Sequence, residues 1–353
     1  MRKATLLLVM GATVVVAVVA PMAFAPVRHS VAMERATAAI ARVQQYSYGW
    51  PVKPFDREHP VRGVIGEPRT FFLAPPTLDG VLHGGGTFSF HQGIDIAAPD
   101  GTAVYPVMSG VVTEVHLTWI SVDAGNGHAF AYWHIRPLVA VGDHVTVDKT
   151  ILGHILREEG HVHLTEYANG RVTNPLATGH IGPYTDRTAP EVAAISFRKS
   201  DTGRDLLPNF IRGRVELVAL AYDKPTMPVP GLWHNLPTTP ALLTWRIQLW
   251  TGKVVVHEHV AFDHRSTVPP NSAFWNTYAR GTYQNMSVFM PHYSYLQAGC
   301  YLFKLTRQLY DTRTIRDGVY DLVVTATDIR RNSSSRSQRF TVHNRPGWVG
   351  GSH

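Results

Sequence analysis

The chain has 353 residues, a formal net charge of +7 at pH 7 and a single cysteine. This length predicts about two domains and is ample for burying apolar cores. Because Cys300 has no second cysteine to pair with, an internal disulfide framework is excluded and the fold must depend on its core.

The first 25 residues have the pattern of an export segment. Arg2 and Lys3 precede an apolar run, and Ala23-Phe24-Ala25 has the small-x-small form of a signal-peptidase site. Pro26 would follow that cut and is a poor substrate there, while the apolar run is long enough to span a bilayer. The sequence predicts either a signal peptide or an uncleaved membrane anchor over residues 1–25. Both alternatives export the remaining chain to the cell envelope, as a periplasmic or extracellular protein.

Residues 26–60 are predicted to form a helical spacer and linker, and residues 61–186 a first domain. A short helix is expected over Val31–Tyr46, where apolar residues recur at helical spacing, and Trp50–Pro54 ends it. The first domain contains short β-type runs with glycine-rich segments such as Gly84–Gly86, which either border a cleft or form simple turns. We predict an antiparallel, sheet-rich domain with very little helix.

Four histidines and one aspartate in this domain have the chemistry of a metal site. His91 and Asp95 are separated by three residues, and His134 follows on a predicted strand. His161 and His163 are two residues apart, so on a strand their side chains share one face. Imidazole and carboxylate both suit zinc, and a catalytic zinc has three protein ligands and one position for water. With nineteen histidines in the chain, the combination predicts a zinc site where a single residue would not.

The same motifs resemble those of the lysostaphin-like (LytM-type) zinc endopeptidases of bacterial cell walls. The run His91–Thr102 is similar to that family's H-x-G-x-D and A-P-x-G-T motifs. Tyr132-Trp133-His134 and His161-Val162-His163 are similar to its Y-x-H and H-x-H motifs, over roughly Val61–Asn174 in all. The approach to H-x-H, Arg157–Gly160, departs from the family pattern because it is short and acidic.

This resemblance implies specific roles for five residues. The zinc ligands would be His91, Asp95 and His163, and His134 and His161 would be the catalytic histidines. We assign His161 as the base or water-orienting group and His134 as the stabiliser of the oxyanion, and the two roles are open to exchange. The substrate implied by the resemblance is a peptide stem or cross-bridge of peptidoglycan, and the sequence leaves open which bond is cut.

The second half of the chain is predicted to be an immunoglobulin-like β-sandwich over residues 190–345, with a tail over residues 346–353. A boundary at Asp186–Pro190 precedes a new series of short strands with turns between them. Gly318–Asp328 resembles the penultimate strand of an immunoglobulin-like domain. Ser333–Ser335 is expected to be a polar turn. His257-Glu258-His259 lacks the H-E-x-x-H spacing of a metal motif and is expected to be an exposed strand.

The charge of the chain is divided between the two halves. Residues 26–188 have a net charge of −3 and residues 189–353 a net charge of +8. A basic second half favours polyanionic partners such as anionic wall polymers, or is a solvated surface with no dedicated partner. Nucleic acid is disfavoured because the chain has an export segment and no recognisable nucleic-acid-binding motif.

Three functions are compatible with these patterns. The first is an exported zinc metalloendopeptidase for cell-wall remodelling, which the complete ligand set favours. The second is a non-catalytic wall-binding or activator protein on the same fold, tethered at the membrane. The third is a membrane-tethered scaffold in which the basic sandwich has the main role.

Overall fold

The computed structural model describes residues 48–72, 86–287 and 296–345. The predicted export segment, the spacer helix at Val31–Tyr46, most of the Gly84–Gly86 loop and the tail lie outside the described residues. Within the described ranges, no helix is long and apolar enough to cross a membrane. The prediction of a mainly β, antiparallel fold is confirmed.

The first half of the described chain consists of short strands. In order, they are β1 (Val61–Gly63), β2 (Pro68–Phe72), β3 (Gly86–Phe90), β4 (Ile94–Ala97), β5 (Ala103–Val104), β6 (Gly110–Val115), β7 (Trp119–Gly125), β8 (His128–Trp133), β9 (Ile135–Pro137), β10 (His144–Val145), β11 (Gly153–Ile155), β12 (His161–Ala168) and β13 (Arg171–Thr173). The main sheet has the order β1-β4-β12-β8-β7-β6-β10, with β13 paired to β12. Strands β5, β11 and β9 form a small sheet, and β2 pairs with β3.

Strand β12 occupies the middle of the main sheet, and its alternation sorts its side chains between two faces. Val162 and Leu164 belong to the apolar core of the first half, together with Ile94 and Phe130 of the neighbouring strands. His161 and His163, which alternate with them along the strand, therefore lie on the opposite face. Burial of the apolar residues in the core thus determines that His161 and His163 share a face with the side chains of β4 that point away from the core.

The described part of the second half contains two large antiparallel sheets and a two-stranded pair, Met286–Ser287 with Leu296–Gln297. Its elements are β14 (Glu191–Arg198), β15 (Asp205–Leu206), β16 (Arg214–Tyr222), β17 (Leu242–Leu249), β18 (Val254–Asp263), α1 (Phe274–Thr277), β19 (Met286–Ser287), β20 (Leu296–Gln297), β21 (Leu302–Lys304), β22 (Tyr310–Asp311), β23 (Gly318–Thr327) and β24 (Ser333–Val342). One sheet has the order β15-β14-β16-β21, with β22 on β16, and the other has the order β18-β17-β23-β24. Both sheets contribute to one apolar core, as in a sandwich. The immunoglobulin-like assignment of this sandwich stays a prediction.

One local prediction in this half is wrong. Ser333–Ser335, expected to be a polar turn, forms the first part of β24 and pairs with Thr325–Thr327 of β23. The long partner strand β23 provides backbone hydrogen bonds for the serines, which outweighs their weak intrinsic preference for strands.

The two halves are in direct contact, and all described residues belong to one compact unit, Arg42–His353. Phe90, at the end of β3, is buried in the core of the sandwich and contacts Phe274 and Tyr278. The Tyr278 hydroxyl donates a hydrogen bond to the Gly66 carbonyl at 2.6 Å. The domain boundary predicted at residues 186–190 therefore stays a prediction.

His264 lies buried at this contact, with 1 % of its surface exposed. Its ring packs against Phe90 and Phe262, and neither ring nitrogen has a hydrogen-bond partner among the described residues. Burial lowers the pKa of His264 from 6.5 to about 4. The neutral imidazole is therefore the form that the folded protein accepts.

We expect the protein to lose stability as the pH falls from 6.5 towards 4, because the unfolded chain binds a proton there that folded His264 does not. For one such ring the full effect is about 3 kcal/mol. Urea unfolding across this range, with chelator present to remove any contribution of metal loss, should show a steeper decline for the native chain than for His264→Leu. Equal declines would contradict this role of His264.

Candidate metal centre

His91, Asp95 and His163 converge on one point over strands β4 and β12, on the face of the main sheet that is turned away from its core. His91 Nε2 lies 2.7 Å from His163 Nδ1 and 3.1 Å from Asp95 Oδ1, and His163 Nδ1 lies 3.0 Å from the same carboxylate oxygen. The convergence follows from the sheet register, because Asp95 on β4 stands opposite His163 on β12. Directly opposite residues of an antiparallel pair have neighbouring side chains.

Hydrogen bonds on the far side of each imidazole determine which nitrogen faces this point. His91 Nδ1 lies 2.9 Å from the Val64 carbonyl, which can only accept, so Nδ1 carries the proton and Nε2 presents its lone pair. His163 Nε2 lies 2.8 Å from the Thr165 hydroxyl, which can accept a proton donated from that nitrogen. Burial lowers the pKa of His91 to about 3 and also lowers that of His163, so both rings are kept neutral. Neutral, oriented imidazoles are the form that binds metal.

The Asp95 carboxylate is held by a half-buried arginine. Arg69, on β2, donates to Asp95 Oδ2 at 2.7 Å and to Glu67 Oε2 at 3.1 Å. Burial would raise the pKa of Asp95, but His91 and the Arg69 guanidinium hold it well below its usual range. The carboxylate is therefore ionised, with Oδ2 bonded to Arg69 and Oδ1 directed at the two imidazoles.

Burial has the dominant effect on Glu67, the second carboxylate that Arg69 contacts. It raises the pKa of Glu67 to about 7, against the opposing effect of Arg69. The Glu67 side chain accepts from the Val64 backbone N–H at 3.1 Å, and its carbonyl accepts from the His91 N–H at 2.8 Å. Glu67 thus ties the turn that carries the Val64 carbonyl to the backbone of His91.

His161 and His134 lie beside the three-residue cluster. The rings of His134 and His161 are 4.3 Å apart between centroids. His161 Nδ1 donates to the Glu159 carbonyl at 2.7 Å, which leaves Nε2 unprotonated, 3.6 Å from Asp95 Oδ1 and 3.4 Å from the Arg62 guanidinium. Burial lowers the pKa of His161 well below its ordinary value.

His134 is more open than His161 and has an unusual backbone. Its side chain is 36 % exposed, and Nδ1 lies 3.0 Å from a Glu159 carboxylate oxygen. It comes directly after β8 with φ +64°, a left-handed conformation that costs a non-glycine residue about 1–3 kcal/mol. Such strain persists where the surrounding structure determines it, and here it turns the ring of His134 towards His161.

Glycines allow the close backbone approach that the cluster requires. A Cβ on Gly93 would lie 2.3 Å from the Leu164 carbonyl oxygen and 2.8 Å from His163 Nε2. A Cβ on Gly63 would lie 2.5 Å from Asp95 Oδ2. The glycine in the H-x-G-x-D motif is thus required because β12, with one of the cluster histidines, passes directly over it.

The donor atoms at this point fit a zinc ion. With His91 Nε2 unprotonated, His163 Nδ1 at 2.7 Å must either donate a proton to it or share a cation with it. Two imidazoles and one carboxylate, each with an outer hydrogen-bond partner, form a three-ligand set that leaves a position for water. One ligand atom from each of the three residues lies within 4.8 Å of the other two.

The structure brings all five predicted site residues together, and their roles as ligands and catalytic groups stay predictions. Sequence reasoning missed Arg69, Glu67 and Thr165. It considered Glu159 only as part of the short acidic segment Arg157–Gly160. Alternation along β12 was a signal for Thr165, because it follows His163 by two residues. No local pattern in the sequence connected Arg69 to Asp95, since they meet through the folding of different strands. His257 and His259, expected on a strand without a metal role, are exposed on β18.

Residues 89–175 match the family model described as Peptidase family M23. All five residues of the predicted site lie inside the matched range. This match confirms the resemblance of the segment to the LytM-type enzymes. No curated protein matches the chain.

Several solved structures show limited similarity to the chain. A zinc-containing peptidase from Vibrio cholerae is 22 % identical, over 37 % of this chain and 39 % of its own, with a TM-score of 0.28. The catalytic domain of a variant of the prophage-encoded M23 protein EnpA from Enterococcus faecalis is 25 % identical, over 31 % and 88 %, with a TM-score of 0.22. LytU is 22 % identical, over 35 % and 86 %, with a TM-score of 0.25. The chain spans about two fifths of the length of the Vibrio peptidase.

Proposed function

We propose that this chain, of which residues 89–175 match the model of peptidase family M23, is an exported zinc metalloendopeptidase that hydrolyses peptide bonds of peptidoglycan. The family consists mostly of zinc metallopeptidases and also has inactive members, so the proposal depends on the state of the site. The observation that supports activity is the complete cluster of His91, Asp95 and His163, with a second pair of histidines beside it.

The roles of the ligands follow from their partners. His91 Nε2, His163 Nδ1 and Asp95 Oδ1 would hold the ion. A zinc ion held there supplies a bound water of lowered pKa and polarises the peptide carbonyl. The carboxylate makes the site less cationic than three histidines would. Arg69 keeps that carboxylate oriented through the oxygen that is not directed at the imidazoles.

His161 is the better placed of the two remaining histidines to act as the base. Its Nδ1 proton is engaged by the Glu159 carbonyl, so Nε2 can accept a proton from a water or hold it in position. Burial keeps the ring neutral at physiological pH, as a base must be. Its acceptor nitrogen faces the side of the site where Asp95 lies.

His134 is the better placed of the two to stabilise the oxyanion. His134 Nδ1 lies 3.0 Å from a Glu159 carboxylate oxygen, which orients the ring. Its side chain is more exposed than that of His161, so a substrate carbonyl can approach it from solvent. A hydrogen-bond donor held in advance stabilises negative charge that develops on a carbonyl oxygen.

The substrate class comes from the family resemblance. Peptidoglycan is polymeric, and we infer that a site on a sheet face, with the side chain of His134 36 % exposed, admits an extended peptide. The second half has a net charge of +8 over residues 189–353, which supports a proposed contact with anionic wall polymers. Export to the cell envelope agrees with the predicted segment at residues 1–25, and it stays part of this proposal.

The test is digestion of purified peptidoglycan with and without a chelator, followed by mass analysis of the soluble fragments. We expect new peptide termini in the untreated reaction, none after chelation, and recovery when zinc is restored. Fragments produced by cleavage of glycan bonds, or digestion that persists in chelator, would contradict the proposal. Binding to the wall without any fragments would support the non-catalytic alternative.

A further inference from the structure

Three aspartates meet at the contact between the two halves, away from the histidine cluster. Asp186 follows the first half, Asp223 follows β16, and Asp328 follows β23. One carboxylate oxygen from each lies within 4.8 Å of the others. They line a cavity of about 30 Å³, which we call the acidic junction. A volume of roughly 10–15 Å³ is enough for one water-sized occupant, so an ion and a water fit there.

Backbone donors fix all three of these carboxylates in place, and Asp186 Oδ1 accepts from the Thr188 N–H at 2.9 Å. Asp223 Oδ1 accepts from the Lys224 N–H at 2.8 Å, and Asp328 Oδ1 accepts from the N–H groups of Arg330 and Asn332 at 2.7 and 2.9 Å. Both aspartates are almost fully buried. The carboxylates are therefore held near one another although their charges repel.

An independent feature of the cavity points to an occupant. The Thr239 side chain lines the acidic junction and is 4 % exposed, and its hydroxyl oxygen has no hydrogen-bond partner among the described residues. A buried hydroxyl without a partner costs about 1–3 kcal/mol. A cation in the cavity, bound by the oxygen atoms of the hydroxyl and the carboxylates, would remove this cost. It would also offset the repulsion between the carboxylates.

The charged groups around the cavity do not neutralise it by direct contact. Arg330 donates to the carbonyls of Tyr184 and Leu176, at 3.1 and 2.7 Å, instead of to the aspartates. Lys224 is exposed at the rim, and Glu58 adds a further negative charge near Asp186. Burial raises the pKa of Asp223 to about 8, with Asp186 and Asp328 contributing to the increase. Without a cation, the site therefore accommodates its carboxylates poorly.

We propose that the acidic junction binds one divalent cation of the oxygen-preferring class, Ca²⁺ in particular, through Asp186, Asp223, Asp328 and the hydroxyl of Thr239. Ca²⁺ takes about 6–8 oxygen ligands in flexible geometry, so water completes the set. Mg²⁺ demands a smaller, near-octahedral arrangement and gives up its own waters reluctantly. The absence of nitrogen and sulfur donors among the four residues separates this site from the histidine cluster.

The position of the acidic junction gives the cation a structural role. Its wall includes Val61, Val64 and Ile65 of the first half, as well as residues of the sandwich. The Val64 carbonyl is the group that orients His91. A cation at this contact therefore fixes the sandwich against the turn that supports the candidate zinc site.

The proposal is tested by titrating Ca²⁺ into the full chain after its histidine site has been saturated with zinc. Calorimetry should show one Ca²⁺ bound per chain, with weaker binding of Mg²⁺. Asp223→Asn should weaken Ca²⁺ binding by about tenfold or more, since affinity follows ligand charge. Thr239→Val should weaken it less and should keep the fold. Asp201→Asn, at an exposed aspartate of the same half, is the matched control and should bind as the native chain does.

Terbium locates the ion, since Tyr184 lines the cavity and can sensitise its luminescence. Tyr184→Phe should lose most of that emission while Ca²⁺ binding by calorimetry is retained. No Ca²⁺ binding by the zinc-saturated native chain would overturn the proposal. So would equal affinities for the native chain, Asp223→Asn and Thr239→Val.

Discussion

His163→Ala is expected to abolish both zinc binding and peptide hydrolysis. His163 is the only residue of the cluster on β12 that contacts both His91 and Asp95, at 2.7 and 3.0 Å. Its removal leaves one imidazole and one carboxylate, which is too few for a three-ligand site. Loss of an outer hydrogen-bond partner alone costs about 10–100-fold in metal affinity, so we expect loss of a ligand to cost more. Metal analysis after dialysis and peptidoglycan digestion measure the two effects.

A graded series separates the metal effect from a general loss of stability. Thr165→Val removes the hydroxyl beside His163 Nε2 and should weaken zinc binding by about 10–100-fold while hydrolysis persists in excess zinc. His257→Ala, at an exposed histidine on β18, is the matched control and should change neither quantity. Hydrolysis by His163→Ala at the native rate would show that the cluster is not the catalytic centre.

The motif order in the sequence was sufficient to predict which residues converge, because the motif spacing follows the strands. Alternation places His161 and His163 on one face of β12, and the burial of Val162 and Leu164 in the core turns that face away from the core. The glycine between His91 and Asp95 is a poor interior residue for a helix and favours a loop there. These are local properties, so a single sequence contains them.

The supporting groups could not be predicted because they arise from long-range packing. Arg69 reaches Asp95 from a hairpin, and no periodicity connects the two positions. Phe90, one residue before His91, is buried in the core of the other half, which its position in the first half gave no reason to expect. The left-handed backbone of His134 arises at the turn after β8. It could not be predicted, because the sequence has no glycine or asparagine at that position to indicate it.

These packing contacts change the interpretation of the sandwich. The core that contains Phe90 and the hydrogen bond from Tyr278 to Gly66 hold both ends of the β2–β3 hairpin. The sandwich therefore supports the segment that supplies His91 and Arg69, in addition to any contact it makes with wall polymers. Removing the second half would expose Phe90 and disturb the site, so truncation does not isolate a wall-binding role.

The last prediction concerns the two histidines that are not proposed as ligands. His161→Ala should lower kcat by about 10²–10⁴ as expected for a lost general base, with the zinc content unchanged. The reason is that His161 Nε2 lies beside the cluster without belonging to its three close contacts. His134→Ala should lower kcat by about 10²–10³, the cost of one lost oxyanion donor. Zinc analysis and steady-state rates on a wall peptide measure both effects.

The pH profile distinguishes the two roles. A base must be unprotonated, and the pKa of His161 is lowered by burial, so the native rate should rise with pH in a range well below 6.5 and be level by 6.5. That acid limb should disappear in His161→Ala and persist in His134→Ala. Glu159→Gln keeps the carbonyl that orients His161 and removes the carboxylate beside His134, so it should resemble His134→Ala in its profile. If the limb disappears in His134→Ala and persists in His161→Ala, the two histidines exchange roles and the metal cluster is unaffected.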